Sequence, residues 1–178
     1  MSNFRFINYE EPSYLPILQQ VLNNSEDWKV VSTYKNIGGD LNPYGFLPFV
    51  MAVIRAHGDD PKDTELQQET TLYNKYTEIH KWLKTRNINQ ISRSAFFKLQ
   101  VNGSVGRHID EGKYYLTRDR YHLALQGEYL YEVDGEEHVI KPGTFFWFDN
   151  KKPHSAKNIS NVERITFVFD VPKSSTNP

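Results

Sequence analysis

The second half of this chain consists of short extended runs separated by turn residues, and this pattern limits the fold more than any other feature. We predict strands over 94–101, 121–125, 129–133, 137–140, 145–149 and 164–171. The dipeptide Asp134-Gly135, between two alternating runs, is a strong signal for a two-residue hairpin. About eight strands, rich in Phe and Tyr, predict a mainly β fold of the double-stranded β-helix type, a cupin-like jelly roll.

The first part of the chain is more mixed, and we predict that its helices buttress the outer sheet of the roll. Apolar residues recur at helical spacing over 12–23 and again over 64–85. Residues 28–34 have the alternation of a strand, whereas 46–56 is apolar without a clear period, so helix and strand stay equal there. His80 lies beside the apolar stripe of the second helix, where an isolated histidine usually serves packing rather than metal binding.

The length of 178 residues suits one domain with a continuous core. We expect residues 1–93 to be a mixed support region, 94–171 to be the jelly-roll core that carries the site, and 172–178 to be a frayed polar tail. Residues 1–93 are also where a wall that selects the substrate could lie.

Composition excludes several classes of partner and chemistry. The 21 basic and 22 acidic side chains nearly cancel, so no overall field attracts nucleic acid or an anionic membrane. The chain has no cysteine, which excludes disulfides, thiolate metal ligands and a cysteine nucleophile. Because Met1 is not followed by a basic and then apolar leader, and no apolar run could span a bilayer, we expect a cytoplasmic protein.

A candidate metal site is formed by His108, Asp110 and His154. Alternate residues of a strand point to one face, so His108 and Asp110 can chelate together, although alone the pair is as consistent with a polar loop. His154 follows a hydrophobic strand and could lie on a neighbouring strand of a rolled sheet; the alternative is a surface histidine beside Lys151 and Lys152. Two imidazoles and one carboxylate can hold Fe(II) while other positions stay open for oxygen and an organic acid.

Two arginines are candidate contacts for an organic acid. Arg164 begins an otherwise β-type strand, and if it points into the roll its charge needs an anion, for which its planar fork suits a carboxylate. The alternative is a surface position where Arg164 pairs with Glu163 or with nothing. Arg120 and His122 share one strand face and could complete recognition of a dicarboxylate, or could be a solvated strand start.

On these residues, the region over 94–171 resembles the aspartyl/asparaginyl β-hydroxylase family of Fe(II)/2-oxoglutarate-dependent dioxygenases, which also contains bacterial hydroxylases of free proline. The resemblance rests on the segments 106–110, 120–125, 142–149 and 153–156, followed by Arg164.

The resemblance implies iron bound by His108 and His154, and 2-oxoglutarate held by Arg164, which follows the second histidine by ten positions. It also implies that Arg120 and His122 are accessory co-substrate contacts. Asp110 agrees with the proline-hydroxylating branch, which keeps a carboxylate there, rather than with the animal protein-hydroxylating members, which have glycine.

The expected function is therefore hydroxylation of a C–H bond in an amino acid or a peptidyl residue, with O2 as oxidant and decarboxylation of 2-oxoglutarate to succinate. The segment 111–119 could close over such a small-molecule or peptidyl substrate, although mixed loops of this kind are usually just exposed. The alternative function is a cupin-like roll that binds a small anionic ligand without oxidising it. Against this alternative, the first cupin motif would have His-x-His where this chain has Asp110.

Overall fold

A computed structural model describes residues 2–8, 12–29, 44–55 and 65–173. The described strands are β1 Phe4–Asn8, β2 Tyr44–Arg55, β3 Glu65–Glu69, β4 Ser94–Leu99, β5 Ser104–His108, β6 Arg118–Gln126, β7 Tyr129–Val133, β8 Glu136–Ile140, β9 Phe145–Phe148, β10 His154–Asn158 and β11 Arg164–Pro172. The described α-helices are α1 Leu15–Asn23, α2 Thr71–Lys75, α3 Thr77–Thr85 and α4 Lys113–Leu116, and 3-10 helices cover Pro12–Tyr14 and Ser25–Lys29.

The strands form two antiparallel sheets. The larger sheet has the order β1-β9-β6-β11-β4-β2-β3, and the smaller has the order β5-β10-β7-β8. From β4 onward the chain passes repeatedly between the sheets: β4, β6, β9 and β11 belong to the larger one, and the strands between them belong to the smaller. The prediction of a mainly β jelly roll is confirmed.

The helices cover one face of the larger sheet. Buried side chains of α1 and α3, among them Ile17 and Trp82, form one hydrophobic cluster with Leu123, Phe145 and Phe167 of the sheet. The prediction that N-terminal helices buttress the roll is therefore confirmed. A second cluster joins the opposite face of the larger sheet to the smaller sheet and comprises Phe4, Ala124, Tyr129, Tyr131, Val133, Ile140, Phe146, Phe148 and Ala156.

The hairpin predicted at Asp134-Gly135 is confirmed. Both residues have positive φ, 51° and 86°, as a two-residue turn of the primed type requires. The turn sets Val133 opposite Glu136, which fixes the register of β7 against β8.

The N-terminal half needs two corrections. The helix predicted over 64–85 is wrong at its start, because residues 65–69 form β3 along β2. The pairing overrides the local helical pattern, and a helix begins only after Thr70, whose side chain accepts a hydrogen bond from the backbone N–H of Leu72. The strand predicted over 28–34 is wrong at its first two residues, which lie in a 3-10 helix, and residues 30–34 fall outside the described ones.

The remaining N-terminal segments are a helix, a strand and one strand that was not predicted. The helix over 12–23 is confirmed, with a 3-10 turn leading into α1. The undecided stretch over 46–56 is strand as far as Arg55, and residue 56 lies outside the described part. The sequence pattern did not predict β1, which joins the larger sheet along β9.

The C-terminal end is more ordered than predicted. Pro172 belongs to β11, and Lys173 donates a backbone hydrogen bond to Thr117 O at 3.0 Å and a side-chain one to Leu116 O at 3.0 Å. The frayed tail predicted from 172 therefore starts too early, and 174–178 fall outside the described residues. None of the helices in the described part of the chain is long and apolar enough to cross a membrane.

Candidate metal centre

The three predicted metal ligands come together because β5 and β10 are neighbours. His108, at the end of β5, lies directly opposite His154, at the start of β10, with 4.2 Å between the ring centroids. Asp110 follows β5 by two residues, and one ligand atom from each of the three lies within 4.8 Å of the others. The Nε2 atoms of His108 and His154 are 3.9 Å and 4.0 Å from the Asp110 carboxylate. Their ligand roles stay predictions, but the geometry they require is present.

Both imidazoles are oriented by backbone carbonyls. Nδ1 of His108 is 2.8 Å from Gly106 O, and Nδ1 of His154 is 2.9 Å from Lys152 O. Since a carbonyl only accepts, Nδ1 carries the proton in each ring and the lone pair of the neutral imidazole is on Nε2, the atom that faces Asp110. Burial lowers the pKa of His154 to about 4, although Asp110 opposes the shift, so this ring is neutral at pH 7.

The carboxylate of Asp110 is held at one oxygen. Oδ2 accepts hydrogen bonds from Nη1 of Arg120 at 2.8 Å and from Nδ2 of Asn150 at 2.9 Å. The backbone N–H of Asp110 donates to Asn150 O at 3.1 Å. Burial by itself would raise the pKa of Asp110, but Arg120, His154 and the Asn150 amide more than offset it and hold the pKa below its usual value. Asp110 is therefore ionised, as a metal ligand must be.

Arg120 lies between two carboxylates. Its Nε and Nη2 donate to the two oxygens of Asp170 at 2.8 Å and 2.9 Å, while Nη1 reaches Asp110. Arg120 and Asp170 are register partners on β6 and β11, which explains the bidentate geometry. Contact between Arg120 and a co-substrate stays a prediction. Sequence reasoning missed Asp170 and Asn150; the signal for Asp170 was an acid in the otherwise apolar run over 167–171.

Strand alternation places Arg164 inside the roll. Ile165, Phe167 and Phe169 of β11 pack against the helices, so residues of the opposite parity face the smaller sheet. Arg164 is 5% exposed, its Nε donates to Thr166 Oγ1 at 2.9 Å, and its guanidinium lies 4.2 Å above the ring of Tyr129.

The predicted alternative for Arg164, a surface pair with Glu163, is not what the structure shows. Glu163 lies 3.5 Å from Lys98. Within the described part of the chain, no carboxylate forms an ion pair with Arg164. A buried, always charged guanidinium without a counter-ion is costly, so this position calls for an anion that the described residues do not supply.

A cavity between the two sheets joins these groups. It has a volume of about 80 Å³, room for several water molecules or part of a small organic acid. It is lined by Phe97, Val105, His108, Asp110, Arg120, His122, Tyr131, Phe148, His154, Ala156, Arg164 and Val168. All six residues predicted for the site therefore line one cavity.

His122 extends the polar surface of this cavity. It is 5% exposed and lies among the rings of Tyr131, Phe146 and Phe148, with centroids 5.0–5.4 Å away. Burial first, and then the positive charges of Arg164 and Arg120, hold its pKa well below the usual value, so the ring is neutral. Its Nδ1 is buried without a hydrogen-bond partner among the described residues. A ligand in the cavity could supply that partner.

Comparison with known proteins bears on this arrangement. Residues 12–174 match the family model for aspartyl/asparaginyl beta-hydroxylase. No curated protein matches the chain in sequence. Among solved structures, an oxidoreductase of the 2OG-Fe(II) oxygenase family from Burkholderia pseudomallei is 14% identical, covers 94% of this chain and 84% of its own, and has a TM-score of 0.60.

Two further structures match about half of this chain. A predicted oxalate decarboxylase from Thermotoga maritima is 26% identical over 51% of this chain and 74% of its own, with a TM-score of 0.40. A cupin protein from Bacteroides fragilis is 14% identical over 48% of this chain and 70% of its own, also with a TM-score of 0.40. Overlaps this partial carry no argument about function.

Proposed function

Since this chain belongs to the aspartyl/asparaginyl β-hydroxylase family, we propose that it is an Fe(II)- and 2-oxoglutarate-dependent dioxygenase that hydroxylates a C–H bond of an amino acid or a peptidyl residue. The observation that carries the proposal is Arg164, a buried arginine without a carboxylate partner in the described chain, in the same cavity as His108, Asp110 and His154.

The donor set fits iron. Two imidazoles and one carboxylate, with no thiolate, make the 2-His-1-carboxylate set typical of non-haem Fe(II) oxygenases. His108, Asp110 and His154 would hold the ion, and the carbonyls behind the two rings would keep the coordinating nitrogens in place. When bound, iron supplies the activation of O2 that no side chain can perform.

The charges around the cavity favour a dianionic co-substrate. Arg120 and Arg164 cancel the charges of Asp110 and Asp170, so the buried groups are neutral together. A divalent cation adds two positive charges, and a dicarboxylate restores neutrality, which a low-dielectric site strongly favours. 2-Oxoglutarate has this charge.

The chain's side chains bind and orient rather than transfer protons. Arg164 would hold the distal carboxylate of 2-oxoglutarate in a bidentate pair, and His122 and Arg120 would be accessory contacts. Phe148 and Tyr131 line the cavity and would help to keep water from the reacting groups when the co-substrate fills it. One oxygen atom of O2 enters the hydroxylated product and the other enters succinate, with release of CO2, so no side chain acts as a general base.

We propose a small-molecule or peptidyl substrate, one domain over residues 1–178 and action in the cytoplasm. The near-balance of 21 basic and 22 acidic residues argues against a nucleic-acid partner or a membrane surface. No contact among the described residues favours the alternative of a cupin that binds an anion without oxidising it.

The test is spectroscopic and needs no knowledge of the substrate. Anaerobic addition of Fe(II) and 2-oxoglutarate to the protein should produce the weak visible charge-transfer band of chelated co-substrate, and succinate should form in air. His108→Ala should abolish the band. His80→Ala is the matched control, because His80 is on α3 with its Nε2 2.6 Å from Tyr73 O, outside the cavity. Absence of both the band and succinate with the unaltered protein would rule out the oxygenase.

A further inference from the structure

Asp170 is a buried acid that the proposed reaction does not use. It is fully buried in β11, and it does not line the cavity. Its backbone is fixed, since its N–H donates to Arg93 O at 2.9 Å and its carbonyl accepts from Ser92 N at 2.7 Å. Burial of a carboxylate is costly, so the partners that Asp170 binds must offset that cost.

The carboxylate of Asp170 fixes the guanidinium of Arg120. Both oxygens of Asp170 accept from Arg120, at 2.8 Å from Nε and 2.9 Å from Nη2. A guanidinium is planar and rigid, so two fixed nitrogens determine the direction of the third. That third nitrogen, Nη1, donates to Asp110 Oδ2 at 2.8 Å.

This donation leaves Oδ1 of Asp110 toward His108, whereas Oδ2 lies 4.0 Å from Nε2 of His154. Oδ2 is held by Arg120 and Asn150, whereas none of the described residues donates a hydrogen bond to Oδ1. Oδ1 is the oxygen 3.9 Å from Nε2 of His108. Asp170 therefore sets the direction of Oδ1 through Arg120, although no hydrogen bond joins Asp170 to Asp110.

A second connection runs through α4. Gly112, with φ of 115°, turns the chain from Asp110 into this helix, a conformation that favours glycine. Tyr114 is 4% exposed, and its hydroxyl donates to Asp170 Oδ2 at 3.1 Å while accepting from Arg93 N at 3.0 Å. The segment that follows Asp110 is therefore tied to the same carboxylate.

We propose that Asp170 is a positioning residue for the metal site: through Arg120 it holds Asp110 in the orientation that binds the ion. This inference rests on the proposed function, since it requires Asp110 to be a metal ligand. Asp170 itself touches neither metal nor co-substrate. Its removal should weaken metal binding with the three ligands intact.

Asp170→Asn is the main test, because it removes the charge and keeps the shape. Co(II) titration followed by its visible absorption measures metal affinity without turnover. We expect affinity about 10- to 100-fold weaker than in the unaltered protein, the range for outer partners of metal ligands. The matched control is Asp119→Asn on β6, whose Oδ1 accepts from Trp147 Nε1 at 3.2 Å, and its affinity should not change.

The route through Arg120 has its own test. In an Arg120→Gln background, Asp170→Asn should weaken Co(II) binding no further, since the linking residue is already gone. If the second change weakens binding by the same factor in both backgrounds, Asp170 does not act through Arg120.

A second variant covers the case in which Asp170→Asn fails to fold. Tyr114→Phe removes one hydrogen-bond donor to Asp170 and keeps the buried ring. We expect a loss of Co(II) affinity of about two- to five-fold, smaller than for Asp170→Asn because Tyr114 is one contact further from the metal ligand.

The outcomes separate the two proposals. If the unaltered protein binds no Co(II), the proposed metal site fails and this inference fails with it. If the unaltered protein binds Co(II) and folded Asp170→Asn binds it equally well, the inference is overturned while the proposed function stands. Unchanged affinity in Tyr114→Phe, where that variant is the one tested, overturns the inference in the same way.

Discussion

The two arginines that line the cavity differ in what they meet. Arg120 donates to two carboxylates, Asp110 and Asp170, whereas Arg164 meets the hydroxyl of Thr166 and the ring of Tyr129. Arg120 therefore has its counter-ions within the chain, whereas Arg164 has none among the described residues. One end of the cavity is thus organised before any ligand arrives, while the other end is completed by a ligand.

The largest expected effect concerns the stability of the metal-free protein. Arg120→Met should lower the free energy of unfolding by roughly 3–5 kcal/mol, because it removes the positive charge that two buried carboxylates share. Arg164→Met should leave it unchanged or raise it by about 1 kcal/mol, because it removes a buried charge that has no counter-ion in the described chain. Urea unfolding of both variants measures the difference. Equal losses would remove the contrast between the two arginines.

The next effect concerns the co-substrate. Arg164→Met should weaken 2-oxoglutarate binding about 100-fold while Co(II) affinity stays within about two-fold, since loss of one partner of a buried charged pair costs roughly 2–5 kcal/mol. Calorimetry measures 2-oxoglutarate binding with metal-loaded protein and Co(II) binding with metal-free protein. Arg5→Ala is the control, because this exposed arginine lies against Trp147, outside the cavity. Parallel loss of metal and 2-oxoglutarate would instead indicate a structural role for Arg164.

The smallest effect is a pH dependence at the metal end. The pKa of His154 falls from 6.5 in the unfolded chain to about 4 in the fold, so between these values the unfolded state binds more protons. The contribution is fully present above pH 6.5 and is lost as the pH falls toward 4, and about 2 kcal/mol of it is lost by pH 5. Urea unfolding of the metal-free protein from pH 7 to pH 5 measures this loss. His154→Gln should flatten this part of the profile, and an unchanged slope would contradict the assignment.

Much of the roll could be predicted because its signals are local. Asp134-Gly135 specifies its own turn, and the strands β6 to β9 and β11 follow from alternation and from turn residues between them. The errors fall where pairing with a distant strand decides. Residues 65–69 have a helical pattern but lie along β2, and nothing in the pattern of β1 announces its place beside β9.

The residues of the candidate site also fall into two groups, those that the sequence predicted and those that it did not. His108, Asp110, His154 and Arg164 could be found because their residue types and spacing are unusual together. Asp170 and Asn150 could not, because their importance comes from contacts with Arg120 and Asp110, residues 50 and 40 positions away. A polar residue in a buried strand can be noticed in the sequence, but the sequence does not show which residue it contacts.

Strand periodicity, turns and the chemical types available as ligands follow from the sequence alone, since they depend on neighbouring residues and on side-chain chemistry. The folded chain adds which face of β11 is the inner one, that His108 lies opposite His154, and that Arg120 is paired while Arg164 has no carboxylate in the described chain. Parity fixes which residues share a face, whereas burial and counter-ions are set by segments far apart in the chain that meet only when the sheets pack.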